Sequence, residues 1–399
     1  MATIKACCSR ILLSSGDSFA VINLGNEKPV QVVKIPTKEE VTADGESKSQ
    51  LHNNSPKDDN RILASALSKS GKYLAVADDR KYLHLYTSDD GCLISSRCVV
   101  RRCTGVVFSQ DETSIIVSDK SGDVYRFVLH DEEKEGELLL GHLSMLLDLI
   151  LIKNDKFVVT SDRDEKMRIS CYPNCYNIHS FCLGHTQYVS SMVYDEEDDL
   201  LISGSGDCTI RIWNYDGKEQ YCQKCRCPYN SSETESEQCY IRRLAYNPTK
   251  KILAVCFGRY LNIEIYRLTS CKETASLELL ETLPLEREIW DVGFDENGRL
   301  WVVQSLDDKY ISVYNLTQQK HQIKVEKCVE EKICNTVSEL NGLKEFFTAS
   351  QNIESIYPNL RKVRIDNMTE YLQRKEKRIQ GQKLDPPTYV FQEKKPKLS

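Results

Sequence analysis

A 43-residue repeat limits what this chain can fold into more than any other feature of its 399 residues. Gly141-His142 recurs as Gly184-His185, 43 positions on. Thr160-Ser161-Asp162-Arg163-Asp164 and Ser203-Gly204-Ser205-Gly206-Asp207 hold the same offset, and so do Met167-Arg168-Ile169-Ser170 and Ile210-Arg211-Ile212-Trp213. An earlier copy, running from Ser118 to Phe127, ends 43 residues before Ser170. Each copy is a train of short runs rich in Val, Ile, Tyr and Phe, such as Lys156-Phe157-Val158-Val159-Thr160, broken by Gly, Asp and Asn. That pattern makes strands and turns. A unit of this length cannot bury its apolar face alone, so the copies must stack on one another.

Gly-His near the start and a Trp-Asp-like end, here Trp213-Asn214, are the marks of a WD repeat with four strands per unit. Third strands are located by their endings at Ile22-Asn23, Leu85-Tyr86, Arg126-Phe127, Ile169-Ser170, Ile212-Trp213, Ile265-Tyr266 and Val313-Tyr314. The expected fold is all-β, a seven-bladed WD-repeat β-propeller over residues 1–365. Closure is expected from Glu326-Lys327-Cys328 and from Leu360 to Ile365, pairing with the N-terminal strands. No helical periodicity is read before residue 366. The stretch 36–60, acidic and without an aromatic residue, is expected to be a disordered insertion. Residues 226–238 read as a polar loop, and Thr269 to Thr282 as a longer hairpin. Asn367-Met368-Thr369-Glu370 reads as a capping box opening a helix to about Lys383. A basic tail follows, so 366–399 form a separate segment. From Thr369 to Ser399 there are 8 Lys or Arg against 4 Asp or Glu, a local balance of +4 in a chain of net −6.

The overall charge argues against nucleic-acid binding by the whole surface and leaves room for a local basic patch. The 17 cysteines are scattered in a large chain, which fits reduced, mostly buried thiols. Residues 1–24 lack the uninterrupted apolar core of a signal peptide, and no run of 18 apolar residues exists to span a membrane. Glycosylation at the two Asn-x-Ser matches is therefore not expected.

His142, Thr160 and Asp164 match His185, Ser203 and Asp207. A nucleophilic triad would use such residues. A set that occurs twice instead suits a hydrogen-bonded chain tying the strands of a blade, completed by Trp213 in one copy and lacking the indole in the other, where Ser170 stands. Cys222-x-x-Cys225-x-Cys227 has metal-like spacing, but no second pair supplies a closed ligand set, so no metal is expected. Glu196 to Asp199 reads as a solvated turn, and Trp290-Asp291 as the start of a strand rather than a repeat's end. No phosphate-binding glycine loop or dinucleotide fingerprint is present.

Leu140 to Asp148, Ser161-Asp162-Arg163-Asp164-Glu165-Lys166-Met167-Arg168-Ile169-Ser170 and Ser180 to Thr186 together resemble the non-catalytic WD-repeat subunit of the eukaryotic tRNA (guanine-N7) methyltransferase. Arg101-Arg102-Cys103-Thr104, Asp119 to Tyr125, Ile289-Trp290-Asp291-Val292 and Asp366 to Leu372 are similar as well, so the resemblance runs from about residue 61 to about 380. It implies a separate catalytic subunit as partner in a heterodimer. That subunit would carry the active site and bind S-adenosylmethionine, so no cofactor is expected in this chain. The propeller would stabilise it and help place tRNA for N7-methylation of a variable-loop guanine, in the nucleus with the cytoplasm as second compartment. The same resemblance puts partner contacts around Arg163, Glu165, Lys166 and Arg168, a charged run where the next repeat has Cys208-Thr209-Ile210. Desolvated charge pairs at interfaces are worth roughly 1.5 kcal/mol or more. Candidate RNA contacts, mainly to phosphate, are Arg97, Arg101, Arg102, Arg374, Lys375, Lys377 and Arg378. The competing reading is a general interaction scaffold, such as a ubiquitin-ligase substrate receptor or a DNA-repair adaptor, which the fold equally permits.

Overall fold

The structure, a computed structural model, describes residues 2–25, 29–37, 60–131, 134–226, 239–271, 274–305, 309–319, 322–351, 355–362 and 367–379. The expected insertion at 36–60, the loop at 226–238 and the last twenty residues fall almost wholly outside these. Seven four-stranded antiparallel meanders occupy residues 3–34, 62–98, 103–141, 146–183, 189–224, 240–284 and 289–327, and are numbered blades 1 to 7. The seven strands located from their endings are the third strands of these blades. The expected long hairpin is the pair Asn262–Cys271 and Thr274–Pro284 in blade 6. Residues 1–361 form one compact unit and Lys362–Ser399 a second.

The second strand of each blade is apolar on both faces, as in Ser114–Asp119 and Leu200–Ser205, where every residue is buried. Such a strand has a neighbouring blade on each side, which explains its continuous rather than alternating hydrophobicity. Seven apolar clusters follow, each spanning two adjacent blades. The stacking of repeats is thus the core itself. Turns are set locally. Gly122 has a φ of +109°, and a Cβ there would lie 2.6 Å from the His142 carbonyl oxygen, so only glycine fits.

Ring closure differs from the expectation. Gln322–Lys327 pairs with Ile311–Gln319 inside blade 7, and Leu360 ends a short 3-10 turn, Tyr357–Leu360. Blade 1 is built wholly from the N-terminus, so among the described residues no strand crosses from one end of the chain to the other, and residues 363–365 of the expected closing strand lie outside them. The seam is closed by side chains. The Ile4 amide donates to Asp291 Oδ2 at 2.9 Å. Two helices missed from the sequence, α1 (Glu331–Gly342) and α2 (Lys344–Gln351), then brace it. Ile333, Leu340, Phe346 and Phe347 join Ile4 and Ile11 of blade 1 and Trp290 and Tyr310 of blade 7 in one cluster. Asn341 accepts from the Ile311 amide at 2.9 Å, and Ser15 and Ser350 hydroxyls meet at 2.7 Å. Burying a phenylalanine stabilises by roughly 1.5–3 kcal/mol, so the two helices supply closure that a shared strand would otherwise give. After them, Tyr357 stacks on Tyr188 and Tyr240, at 5.8 and 5.5 Å between ring centres, beside one mouth of the central channel. Arg361 donates to the carbonyls of Gly206 and Cys239, both at 2.8 Å. A third helix, α3 (Asn367–Ile379), begins at the expected capping box.

Candidate partner-docking surface

Blade 4 is held by a polar chain at its interior. His142 arrives from the loop before the blade, and its Nε2 lies 2.8 Å from Thr160 Oγ1. Its Nδ1 lies 3.2 Å from Asp162 Oδ2. The carboxylate is therefore Asp162, where Asp164 was expected from the alignment with Asp207. The cause is the residue ending the second strand. Asp162 is long enough to accept from the Lys166 amide with Oδ1, at 3.1 Å, and meet the histidine with Oδ2. Blade 5 has Ser205 at that place, and its shorter hydroxyl accepts instead from the Asp207 amide at 3.1 Å. The histidine there takes its carboxylate from two residues further on. His185 Nδ1 is 3.1 Å from Asp207 Oδ2, His185 Nε2 is 2.8 Å from Ser203 Oγ, and Trp213 Nε1 donates to that hydroxyl at 2.9 Å. Burial pushes the Asp207 carboxyl up. The hydrogen bond and charge of His185, with donors from Thr209 and the Thr186 amide, outweigh it and hold the group well below the carboxylate range.

The signal for Asp162 was present in the sequence. Ala77-Asp78, Ser118-Asp119 and Ser161-Asp162 end the second strands of blades 2, 3 and 4. Asp78 accepts from the Tyr82 amide at 2.8 Å, as Asp162 does from Lys166, and faces a histidine at 3.4 Å, here His84 of the third strand. These groups are spent on one another inside blades, in more than one copy, which is the geometry of a structural tie.

Around the blade 4 tie the surface is unusual. The turn from Asp162 to Lys166 carries Glu165 in a left-handed conformation, φ +74°, and leaves Arg163 and Lys166 exposed. Lys166 pairs with Leu183 across the outer strand pair, and Arg168 pairs with Phe181. Leu183, Phe181, Ile178 and Tyr176 are exposed along the outer edge, and Leu143 stands fully exposed in the loop after His142. An edge strand bearing large apolar side chains beside a charged turn is a candidate surface for partner contact. Arg168 is the exception among the four residues expected to hold a partner. It is 8% exposed, and its Nη1 donates to the Gly141 carbonyl at 3.0 Å, so it links blade 4 to blade 3.

Among the RNA candidates, Arg97 is also turned inward. It is buried, donates to the Val128 carbonyl at 2.6 Å and lies 5.3 Å over the Phe127 ring. A guanidinium stacked on an aromatic ring and bonded to backbone ties blades 2 and 3 together and cannot meet phosphate. Arg101 and Arg102 are exposed in the link between those blades, with Arg102 Nε donating to the Asp79 carbonyl at 3.0 Å. Lys375, Lys377 and Arg378 are exposed on α3 and Arg374 is half-buried, while Met368, Tyr371 and Leu372 present apolar groups on the same helix. Of the cysteine run, Cys222 is exposed on a strand, Cys225 is buried, and Cys227 lies outside the described residues. No cluster of three or more His, Cys, Asp or Glu is placed to hold a metal ion among the described residues, and no described helix is long and apolar enough to cross a membrane.

Comparison with known proteins bears on the family of the chain. The family model described as the tRNA methyltransferase TRM82 WD40 domain matches residues 17–137 and 131–331. The zebrafish protein named tRNA (guanine-N(7)-)-methyltransferase non-catalytic subunit wdr4 is 38% identical over 341 residues, 84% of this chain and 82% of its own. The human protein WDR4, of the same description, is 34% identical over 78% of this chain and 76% of its own. The Culex quinquefasciatus protein named non-catalytic subunit wuho is 30% identical over 80% and 76%. Among solved structures, the RRP9 WD40 repeats superpose with a TM-score of 0.60 at 16% identity, covering 81% of this chain and 94% of that one. The Cps50 (Swd1) β-propeller domain superposes with 0.61 at 10% identity, covering 79% and 96%. At those identities the two structures speak for the fold alone.

Proposed function

The chain belongs to the family of WD-repeat non-catalytic subunits of the tRNA (guanine-N7)-methyltransferase, and we propose that it works there by docking the catalytic subunit on the outer edge of blade 4 and presenting tRNA to it. The observation that carries this reading is the apolar edge formed by Phe181 and Leu183, with exposed Lys166 paired to Leu183 and exposed Arg163 bonded through its amide to the loop that holds exposed Leu143. The apolar side chains would supply the area removed from water, and the charged turn would fix orientation and speed encounter. Glu165 is the third contact of the turn. Arg168 acts from behind it, by holding blade 4 against blade 3. The catalytic subunit binds S-adenosylmethionine, and the two chains form a heterodimer in the nucleus. Arg101, Arg102 and the cations of α3 contact tRNA phosphates, which position the substrate without reading its sequence.

The test is co-expression with the catalytic subunit. Leu183→Asp combined with Lys166→Glu is expected to leave the far-UV circular dichroism of the propeller unchanged. It should abolish stoichiometric co-purification and lower tRNA N7-methylation at least about tenfold, the effect of about 1.4 kcal/mol. Wild-type co-purification by this folded variant would place the docking surface elsewhere.

A further inference from the structure

The first strands of the seven blades surround a central cavity of about 770 Å³. Tyr357, with Ser355 and Ile356, lies against it at one mouth, and Cys7, Lys69, Gln110, Asn154 and Glu196 line it toward the other. Four charged side chains face one another within: Lys5 from blade 1, Asp148 from blade 4, Arg243 from blade 6 and Asp291 from blade 7. Their hydrogen-bonding demands are not balanced. Both carboxylates are committed to backbone. Asp148 accepts from the Leu149 amide at 3.0 Å and the Met192 amide at 2.7 Å. Asp291 accepts from the amides of Ile4 and Val292, at 2.9 and 3.0 Å, and from Arg243 Nε at 3.1 Å. The cations are left with donors to spare. Lys5 has no hydrogen bond or ion pair among the described residues, and Arg243 uses only its Nε. Lys5 and the Nη groups of Arg243 thus offer the cavity more N–H donors than the two carboxylates have acceptor sites left, which suits a ligand rich in acceptor oxygens.

We propose that the central channel is a binding site for a small phosphate-bearing anion, whose oxygens are shared between the Lys5 ammonium and the Nη groups of Arg243. Planar guanidinium and compact ammonium together suit a tetrahedral oxyanion. The cavity has room for more than a bare phosphate, so the phosphate-bearing molecule is either a free inorganic anion or a mononucleotide. The site is separate from the blade 4 edge and does not depend on the docking reading above.

The protonation of Lys5 gives the site a signature. Burial, and next the Arg243 charge, pull the amine down to about 8, against the opposite pull of Asp291 and Asp148. An arriving phosphate-bearing anion favours the ammonium form and moves the group back toward its ordinary value. Binding at pH 8 therefore takes up a fraction of a proton, roughly half when the amine is half neutral beforehand.

The full chain is titrated at pH 8 with pyrophosphate, orthophosphate and AMP by calorimetry, in two buffers of different ionisation heat. One site per chain is expected, with proton uptake and at least a tenfold loss of affinity in Lys5→Met. Lys5→Arg and the exposed-site control Lys120→Met should retain binding. Tighter binding of AMP than of pyrophosphate identifies the mononucleotide, and the reverse the free anion. On the wild-type chain, pyrophosphate should also protect Lys5 from acetic anhydride in peptide mass spectra, a readout that needs no variant to fold. Absence of binding by all three probes, equal affinity in a folded Lys5→Met, or no protection of Lys5 would overturn the proposal.

Discussion

Asp162 and Asp207 do one job from two positions, and the difference makes the tie testable at single residues. Asp162→Asn removes the charge that both caps a turn and faces His142, so it should destabilise the propeller by about 1–3 kcal/mol, read from urea unfolding. Asp164→Asn should cost clearly less. Equal losses would mean that the two carboxylates share the task. Asp207 adds a pH dependence of definite sign. Its carboxyl is held below the unfolded value near 3.8. The stability it confers is therefore complete above that value and is lost as pH falls below it. The urea midpoint should fall more steeply between pH 5 and pH 3 in the wild type than in Asp207→Asn, whose own midpoint starts lower.

Helices α1 and α2 decide whether the ring stays shut. Phe347 is fully buried and stacks on Tyr310 with ring centres 4.4 Å apart. Phe347→Ala should cost about 3–5 kcal/mol if the site cannot collapse. The loss should be local at first. Amide hydrogen exchange should accelerate in blades 1 and 7, whose shared seam opens, before it does in blades 3 to 5. Uniform acceleration across all seven blades would show that the helices add stability without being the closure. These two elements were only half legible in the sequence. Ile333, Thr336 and Leu340 are buried at helical spacing, yet the stretch is short and mostly polar, and the closing strands are expected on either side of it. Nothing local in a sequence says whether a ring closes by a shared strand or by a brace, because that depends on which distant residues meet.

Across the whole molecule, periodicity made the fold readable. A fixed 43-residue spacing and the strand endings are local facts, and stacking of repeats turns them directly into a propeller. The proposed docking surface was legible only in part. The charged turn after Ser161 stood out against its neighbouring copy, whereas the exposure of Phe181 and Leu183 looks in the sequence like any β-strand alternation. Arg97 and Arg168 were misplaced for the complementary reason. An arginine that bonds to a backbone carbonyl under the next blade reads the same as one held out to a ligand. The brace at the seam also bears on synthesis. Among the described residues no blade borrows a strand from the far end of the chain, so each sheet is complete once its own residues have left the ribosome. Blades can then accumulate in order, from the N-terminus, as an open arc. The arc becomes a ring only when residues 331–351 emerge, so a chain cut short after blade 7 would carry all 28 strands and still expose the apolar flanks of its first and last blades.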